Sequence, residues 1–366
     1  MRVLVIGAGP LGSLFAARLH QAGHEVSILA RGARLEQLRQ HGIVLENNEN
    51  GEQTVAPINV IDHLDPEDAY GLVLVIMRKN HAAGALPALA ANRYTPNVLF
   101  LMNNAAGPDE FVQALGKERV LIGFPSSAGY RREHVIYYLG GSDERIMEIP
   151  FGEVDGRITN RTRRVAEVIE SMPGYKADMR TDMDAWLKTH VALLMPALAP
   201  ALYASATDNE RMGRTRDALV LAGRAIREAF QVLRALGIPI TPRSLRMFEL
   251  IPEPILVPLA RRLIVRQQMK TALVGHAEAA RDELKHLADE FLVLARQTDV
   301  PTPNMDRLYP YLDPATPPLP DGSAEIPLDW RDIRRGAAVL LGLTLGGALI
   351  ALGLRKKKDK GEKFVG

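Results

Sequence analysis

The chain opens with an aliphatic, β-branched run at residues 2–6 and a glycine-punctuated turn at 7–12. A helix-like stretch at 13–21 stops at Gly23, and a second apolar run follows at 25–30. Strand, turn, helix and strand in so short a span predict a βαβ unit. Further apolar runs at 71–77, 97–102 and 119–123 read as buried strands separated by helices or loops, the rhythm of a doubly wound parallel sheet. Residues 135–140 and 145–151 read as later strands of the same layer, and 161–172 as an amphipathic helix that closes it. From Asp182 onward the period changes. Leu187, Val191 and Leu194 recur at helical spacing, and stretches rich in Ala, Leu, Arg and Glu continue to Gln297, which predicts a mostly α second domain. Residues 189–206 are apolar enough to raise a membrane span, but His190 and two prolines within them predict a kinked helix buried in the protein.

The C-terminal pattern differs again. Residues 310–327 hold six prolines and few apolar side chains, so an extended linker is expected. Residues 336–354 contain no charge and, at 1.5 Å per residue, would make a helix of about 28 Å, close to the roughly 30 Å of bilayer hydrocarbon. Arg331, Arg334 and Arg335 precede this run and Arg355-Lys356-Lys357-Lys358 follows it, so a single C-terminal transmembrane helix is expected. Gly342 and Gly346 have the small-residue spacing that would let two such anchors pack as a homodimer. The expected organisation is a Rossmann domain at 1–180, a helical substrate and catalytic domain at 181–312, a Pro-rich linker at 313–335, the transmembrane helix at 336–354 and a basic tail at 355–366.

Composition narrows the chemistry. The 366 residues contain no cysteine, which removes disulfides, thiolate metal sites and thiol nucleophiles together. Met1 runs directly into a strand, so no signal peptide is read and a cytoplasmic body is expected. Residues 355–363 hold six basic and two acidic side chains, so the net charge of +2 belongs to the tail and the remainder is slightly acidic. No nucleic-acid surface is implied. The nine histidines show no metal spacing: His20 and His24 are four apart, but Gly23 ends their helix, and no metal site is expected.

Gly7-Ala8-Gly9-Pro10-Leu11-Gly12 is a G-x-G-x-x-G turn in its proper context, after the first strand and opening the first helix. Gly7 serves the tight turn, Gly9 lets backbone approach a pyrophosphate, and Gly12 permits close packing of helix on strand. The phosphates would rest on the helix N-terminus, where free N–H groups and the dipole favour anions. An NAD site usually carries an acid about twenty residues further on, to hold the ribose 2′-hydroxyl. Here Arg31 stands there, with Arg34 close behind, and a guanidinium suits the 2′-phosphate of NADP(H).

These residues lie within a wider resemblance to the ketopantoate reductases (2-dehydropantoate 2-reductases). Residues 1–34 look very like that family's opening. Val98-Leu99-Phe100-Leu101-Met102-Asn103-Asn104 resembles its strand ending in Gln-Asn-Gly, and residues 279–284 and 300–304 resemble its C-terminal helix and following loop. The resemblance spans about residues 1–312. It implies a Rossmann domain joined to an all-α domain like that of the 6-phosphogluconate dehydrogenase-like enzymes. It also implies NADPH-dependent reduction of a small 2-keto acid in the cleft between them. By the same resemblance Lys188 is the general acid and Glu283 its acidic partner, which hydrogen-bonds the substrate and helps orient the lysine. Asn103 lies near nicotinamide and substrate, Arg78 replaces a cofactor-binding lysine, and Thr271 takes the place of a substrate-binding serine. A protonated lysine suits the role, since it can donate to the carbonyl oxygen as hydride reaches the carbon. The chain departs from the family at Ala192 and Pro196 (or Met195 one place earlier), where asparagines reach the substrate, and at Asn104, which replaces glycine. These departures leave open a reductase of a different, more apolar keto acid, or a non-catalytic NADPH-binding or sensing protein on the same fold.

Overall fold

The computed structural model describes residues 1–142, 145–331 and 333. The strands of the first half are β1 (Arg2–Ile6), β2 (Glu25–Leu29), β3 (Ile43–Asn47), β4 (Gln53–Ala56), β5 (Asn59–Ile61), β6 (Leu72–Val75), β7 (Val98–Leu101), β8 (Val120–Gly123), β9 (Ala128–Arg132), β10 (Val135–Leu139), β11 (Met147–Glu153) and β12 (Tyr175–Met179). Helices α1 (Pro10–Gln21), α2 (Gly32–His41), α3 (Lys79–Ala82), α4 (Leu86–Ala91), α5 (Asp109–Leu115) and α6 (Asn160–Glu170) lie between them.

Eight strands form the main sheet in the order β12-β11-β8-β7-β6-β1-β2-β5, parallel throughout except where β11 meets β8. Its central strands are apolar on both faces because helices cover both: β6, β7 and β8 are buried at every position. From β1 the chain runs to β2 on one side and later returns to β6 on the other, so the strand order reverses between β1 and β6. That reversal opens a crevice at the carboxyl ends of these strands, where such sheets bind ligands.

Residues 135–140, expected in the main layer, instead form β10 of a second sheet, ordered β4-β3-β10-β9. The sequence could not decide this, because Val-Ile-Tyr-Tyr-Leu is apolar at every position while burial alternates, with Ile136 and Tyr138 inward. The small sheet covers α1 and carries β9 up to the glycine-rich turn.

The second half is helical: α7 (Met183–Leu193), α8 (Ala199–Ala204), α9 (Asn209–Arg214), α10 (Arg216–Ala235), α11 (Met247–Leu250), α12 (Glu253–Ile264), α13 (Gln267–Met269), α14 (Gly275–Ala279), α15 (Arg281–Ala295) and α16 (Pro303–Leu308). Between α7 and α8 the chain widens into a π-helical turn, Leu194–Leu198, around Pro196, which has no N–H to give an ordinary helical bond. Met183–Ala204 is apolar and long enough to cross a bilayer, yet 67% of its most apolar window is buried in the protein, and Ala192, Met195, Ala197 and Leu202 belong to the helical core.

The segment expected as an extended linker, 310–327, begins in a 3-10 turn (Tyr309–Leu312), and the residues after it lie against the helical domain. The Leu319 amide donates to Ala204 O (2.8 Å), the Glu325 and Ile326 amides to Asp217 (3.0 and 2.9 Å), and the Asp329 amide to Glu253 Oε1 (2.9 Å). Proline removes N–H groups from this segment, and the remaining amides find side chains and carbonyls on the domain surface. The expected anchor at 336–354, with its glycine pair, and the tail at 355–366 lie outside the described residues.

Candidate active site

The glycine-rich turn is fixed by sterics. Gly7 has φ +113°, and a Cβ there would lie 2.0 Å from Ile76 O; at Gly12 it would lie 1.8 Å from Gly7 O. Gly9 differs, since nothing stands within 4 Å of an added Cβ and the space beside it is open. Gly9 precedes Pro10, the first residue of α1, and no side chain caps the helix. The first helical bond runs from Ser13 N–H to Gly9 O (3.0 Å), so the Leu11 and Gly12 amides precede the helical ladder.

Two guanidinium groups, Arg34 and Arg131, gather beside this turn, and a third, Arg31, opens α2. Arg31 stands at the N-terminus of α2, exposed, and makes no hydrogen bond or ion pair with a described residue. One turn on, Arg34 donates to Ala8 O (3.1 Å), Ser13 Oγ (3.2 Å) and Gln37 Oε1 (2.6 Å), which ties α2 to the glycine-rich turn without any carboxylate. Burial first, and the neighbouring Arg131 second, push its pKa down to about 10. Arg131 comes from β9. Gly129 of that strand faces Pro10, whose Cβ would be 3.5 Å from an added Cβ, and alternation puts Arg131 on the same face. Like charges packed without a counter-anion are costly, and an anionic ligand relieves that cost.

At the carboxyl end of β6 the Rossmann domain is clasped by α15. Arg78 donates to Asp282 Oδ1 (3.0 Å) and to Ala279 O, and Asn80 donates to Asp282 Oδ2 (2.9 Å). The Lys79 amide donates to Glu283 Oε1 (3.2 Å), while its buried ammonium pairs with Glu110 and with Glu290 (3.3 Å). Glu290 also accepts from the Ala105 and Ala106 amides (3.1 and 3.2 Å), so one helix holds the loops after both β6 and β7.

Glu283 is 4% exposed, and burial pushes its pKa up to about 7 against the opposing pull of the Lys79 amide and Arg78. His276 Nε2 lies 3.6 Å from its other oxygen, and burial, with Arg78 second, lowers that imidazole's pKa.

Asn103 ends β7. Only 8% exposed, its side chain makes no hydrogen bond to a described residue, and its Oδ1 is buried without a partner. Its neighbour Asn104, where the family has glycine, closes a loop: its amide group donates to Gly107 O (2.8 Å) and its Oδ1 accepts from Gly107 N–H (3.1 Å). Gly107, at φ +91°, brings this loop against α7, where an added Cβ would be 3.4 Å from Lys188 Nζ.

Lys188 is not on a solvated face. Its side chain is 12% exposed, and Nζ donates to Asp184 Oδ2 (2.5 Å) one turn earlier. The other Asp184 oxygen is buried without a partner. The carboxylate that Lys188 meets is that of Asp184, while Glu283, expected as its acidic partner, is held between the Lys79 amide and His276. Both residues flank the loops after β6 and β7, but no contact joins them. Arg78 is committed to α15. Thr271 falls in the π-helical turn Lys270–Val274, with its side chain outside the described set. Ala192 (0% exposed), Met195 and Pro196 point into the helical core.

Sequence reasoning missed Asp184, although its i, i+4 spacing from Lys188 was visible. It also missed an aromatic shelf in which Trp186 and His190 stack (5.2 Å, 8°) and Phe124, just past β8, meets His190 at 4.4 Å. Burial, with His276 second, pushes the His190 pKa down to about 4. Among the described residues no cluster of His, Asp and Glu could hold a metal ion.

Residues 3–151 match the family model described as Ketopantoate reductase PanE/ApbA. A 2-dehydropantoate 2-reductase of Archaeoglobus fulgidus is 27% identical over 240 residues, 64% of this chain and 75% of that protein. An uncharacterised oxidoreductase of Bacillus subtilis is 28% identical over 196 residues, 51% of this chain and 61% of that one. In fold, the chain resembles a 2-dehydropantoate 2-reductase of Geobacter metallireducens (TM-score 0.70, 17% identity, covering 86% of this chain and 100% of that one). It also resembles D-mandelate dehydrogenase solved with NADH and anilino(oxo)acetate (TM-score 0.69, 16% identity, covering 85% and 97%).

Proposed function

With its dinucleotide-binding domain in the ketopantoate reductase family, this chain is, we propose, an NADPH-dependent reductase of a 2-keto acid. The observation that carries the reading is Asn103: a buried carboxamide without a partner, at the carboxyl end of a central strand, costs stability unless a ligand completes it. The open space at Gly9 and the three guanidinium groups Arg31, Arg34 and Arg131 fit a dinucleotide phosphorylated on its ribose. When bound, NADPH supplies the hydride.

The chain's own residues supply the rest. Lys188, held by Asp184, is the proton donor: as the carbonyl carbon gains hydride, its oxygen takes a proton from the ammonium, and solvent restores that proton. Asn103 Oδ1 would accept from the nicotinamide carboxamide, and its amide group is left to donate to the substrate. Glu283, neutral below about pH 7, can hydrogen-bond the keto acid, whereas its ionised form would repel the substrate carboxylate. Ala192, Met195 and Pro196, turned into the helical core, offer no polar group where the resemblance expects substrate-binding asparagines, so a keto acid with a less polar side chain than ketopantoate suits the site better. The D-mandelate dehydrogenase likeness fits such a substrate.

The test is NADPH oxidation by the purified chain against 2-keto acids that include ketopantoate and phenylglyoxylate. Turnover faster with the apolar acids supports the reading. Tight NADPH binding without turnover on any of them overturns it in favour of a sensor. The stretch at 336–354 is a separate proposal, resting on sequence, of a membrane anchor. Complete release of the full-length chain from membranes by carbonate would overturn it.

A further inference from the structure

Exposed apolar side chains are unevenly spread over the molecule. Met247, Leu250, Ile255, Leu259, Leu263 and Val265 fall close together in sequence, and Leu250 is 78% exposed. On α12 the two faces separate cleanly. Leu256, Val257 and Ile264 are buried, while Ile255 (49%), Leu259 (40%) and Leu263 (52%) recur every fourth residue as an outward stripe, about 12 Å long at 1.5 Å per residue.

The charges around the stripe are of one sign. Arg243, Arg246, Arg261, Arg262 and Arg266 are exposed, and their side chains make no hydrogen bond or ion pair with described residues. The two acids of the region are already neutralised, Glu249 by Arg234 (2.5 Å) and Glu253 by Arg224 (2.8 Å). The last described residues also reach α12. The Asp329 amide is bonded to Glu253, in the first turn of α12, and the next residue, Trp330, is 49% exposed. Six residues further on begins the uncharged run 336–354.

We propose that this face of α11 and α12 rests on an anionic membrane surface, with the apolar stripe in the interfacial layer and the arginines on lipid phosphates. A bilayer supplies both partners that the face lacks, hydrocarbon for the stripe and negative charge for the five guanidinium groups. A second copy of the chain in a two-fold contact would set arginine against arginine. The run 336–354 folded back over the stripe would cover the apolar residues and leave every arginine uncompensated. The inference stands apart from the catalytic reading.

The chain has no cysteine, so Leu259→Cys introduces its only thiol. The full-length variant, labelled there with an environment-sensitive dye, is mixed with vesicles of phosphatidylcholine containing phosphatidylglycerol. Emission should shift to the blue and be quenched by a lipid-borne spin label. The same dye at Val55→Cys, exposed on the small sheet, should stay in water. Paired Arg261→Glu and Arg262→Glu changes should abolish the shift at Leu259 with NADPH binding unchanged. A dye that stays in water with these vesicles overturns the proposal. So does a blue shift without lipid, which, if it grows with protein concentration, identifies a second copy as the occupant. A dye at Leu345→Cys reports the tail independently, so an inserted tail beside a wet stripe refutes the docking alone.

Discussion

The two halves of the cleft are built from different materials. On the Rossmann side the site is mostly main chain: glycines at Gly7 and Gly12 whose Cβ atoms would overlap carbonyl oxygens, and helix amides aimed outward. On the helical side it is made by side chains, with Lys188 on Asp184, Glu283 on the Lys79 amide, and Glu290 on two backbone amides. A main-chain site tolerates almost no substitution and so writes itself into a short motif. A side-chain site can exchange one partner for another, as Asn104 does in holding Gly107 where the family has a glycine. In the proposed function the first kind would carry cofactor binding and the second chemistry and specificity.

That contrast predicts a graded series. The largest effect should come from Gly12→Val, whose side chain has no room beneath Gly7 O; we expect a loss of more than about 4 kcal/mol, read by thermal melting. Gly9→Ala, by comparison, should melt like the parent and lose NADPH affinity. A Gly9→Ala protein with unchanged affinity would break the assignment of the turn. Next, Lys188→Ala should lower kcat by about 10² to 10⁴ while the NADPH dissociation constant barely moves. Asp184→Asn should lower kcat less, by roughly tenfold, because the ammonium stays but loses its orienting charge. Full activity in Lys188→Ala would remove the proton-donor role.

Glu283 gives the third effect. Its folded pKa, about 7, lies above the ordinary value of 4.5, so the native state holds the proton longer than the unfolded chain. Stability from this group is therefore complete below about pH 4.5 and is lost as pH rises through 7, by up to about 3 kcal/mol. Glu283→Gln should flatten that slope in urea unfolding at pH 5 and pH 8, and reduction by the parent should decline over the same interval. An unchanged slope in the variant would place the titration elsewhere. Smallest is cofactor preference: Arg31→Asp and Arg131→Ala should each weaken NADPH by about tenfold and leave NADH nearly unaffected. Equal loss for both cofactors would mean that these arginines hold something other than the 2′-phosphate.

Legibility followed the same division. The βαβ opening with Gly7, Gly9 and Gly12 was readable because the glycine spacing between a strand and a helix is a short local pattern, even though the group that presses on Gly7 is the distant Ile76 and nothing presses on Gly9. The parallel strands at β6, β7 and β8 were readable because burial on both faces leaves an unbroken apolar run. The sheet to which β10 belongs was not, since an all-apolar strand carries no alternation to mark its free face. Residues 310–327 were expected as an extended linker; the first of them complete a 3-10 turn, and the stretch to Asp329 is bound to Ala204, Asp217 and Glu253, more than seventy positions away in sequence, which no local pattern reveals. Lys188 was singled out by resemblance alone. Its carboxylate partner one turn away had the right spacing, yet many exposed i, i+4 pairs share it, and only burial against Gly107 distinguishes this one.

By itself, then, the sequence determined the dinucleotide turn, the absence of thiol chemistry and the change from a sheet domain to a helical one, since local sterics and periodicity need no partner from afar. Tertiary structure alone decided that Asp184 holds Lys188 and that Glu283 is driven toward neutrality. It alone left Asn103 with a buried, unpartnered oxygen and turned one face of α12 outward among unpaired arginines. Each of these depends on which groups burial brings together and which it leaves without water, and burial is a property of the assembled chain.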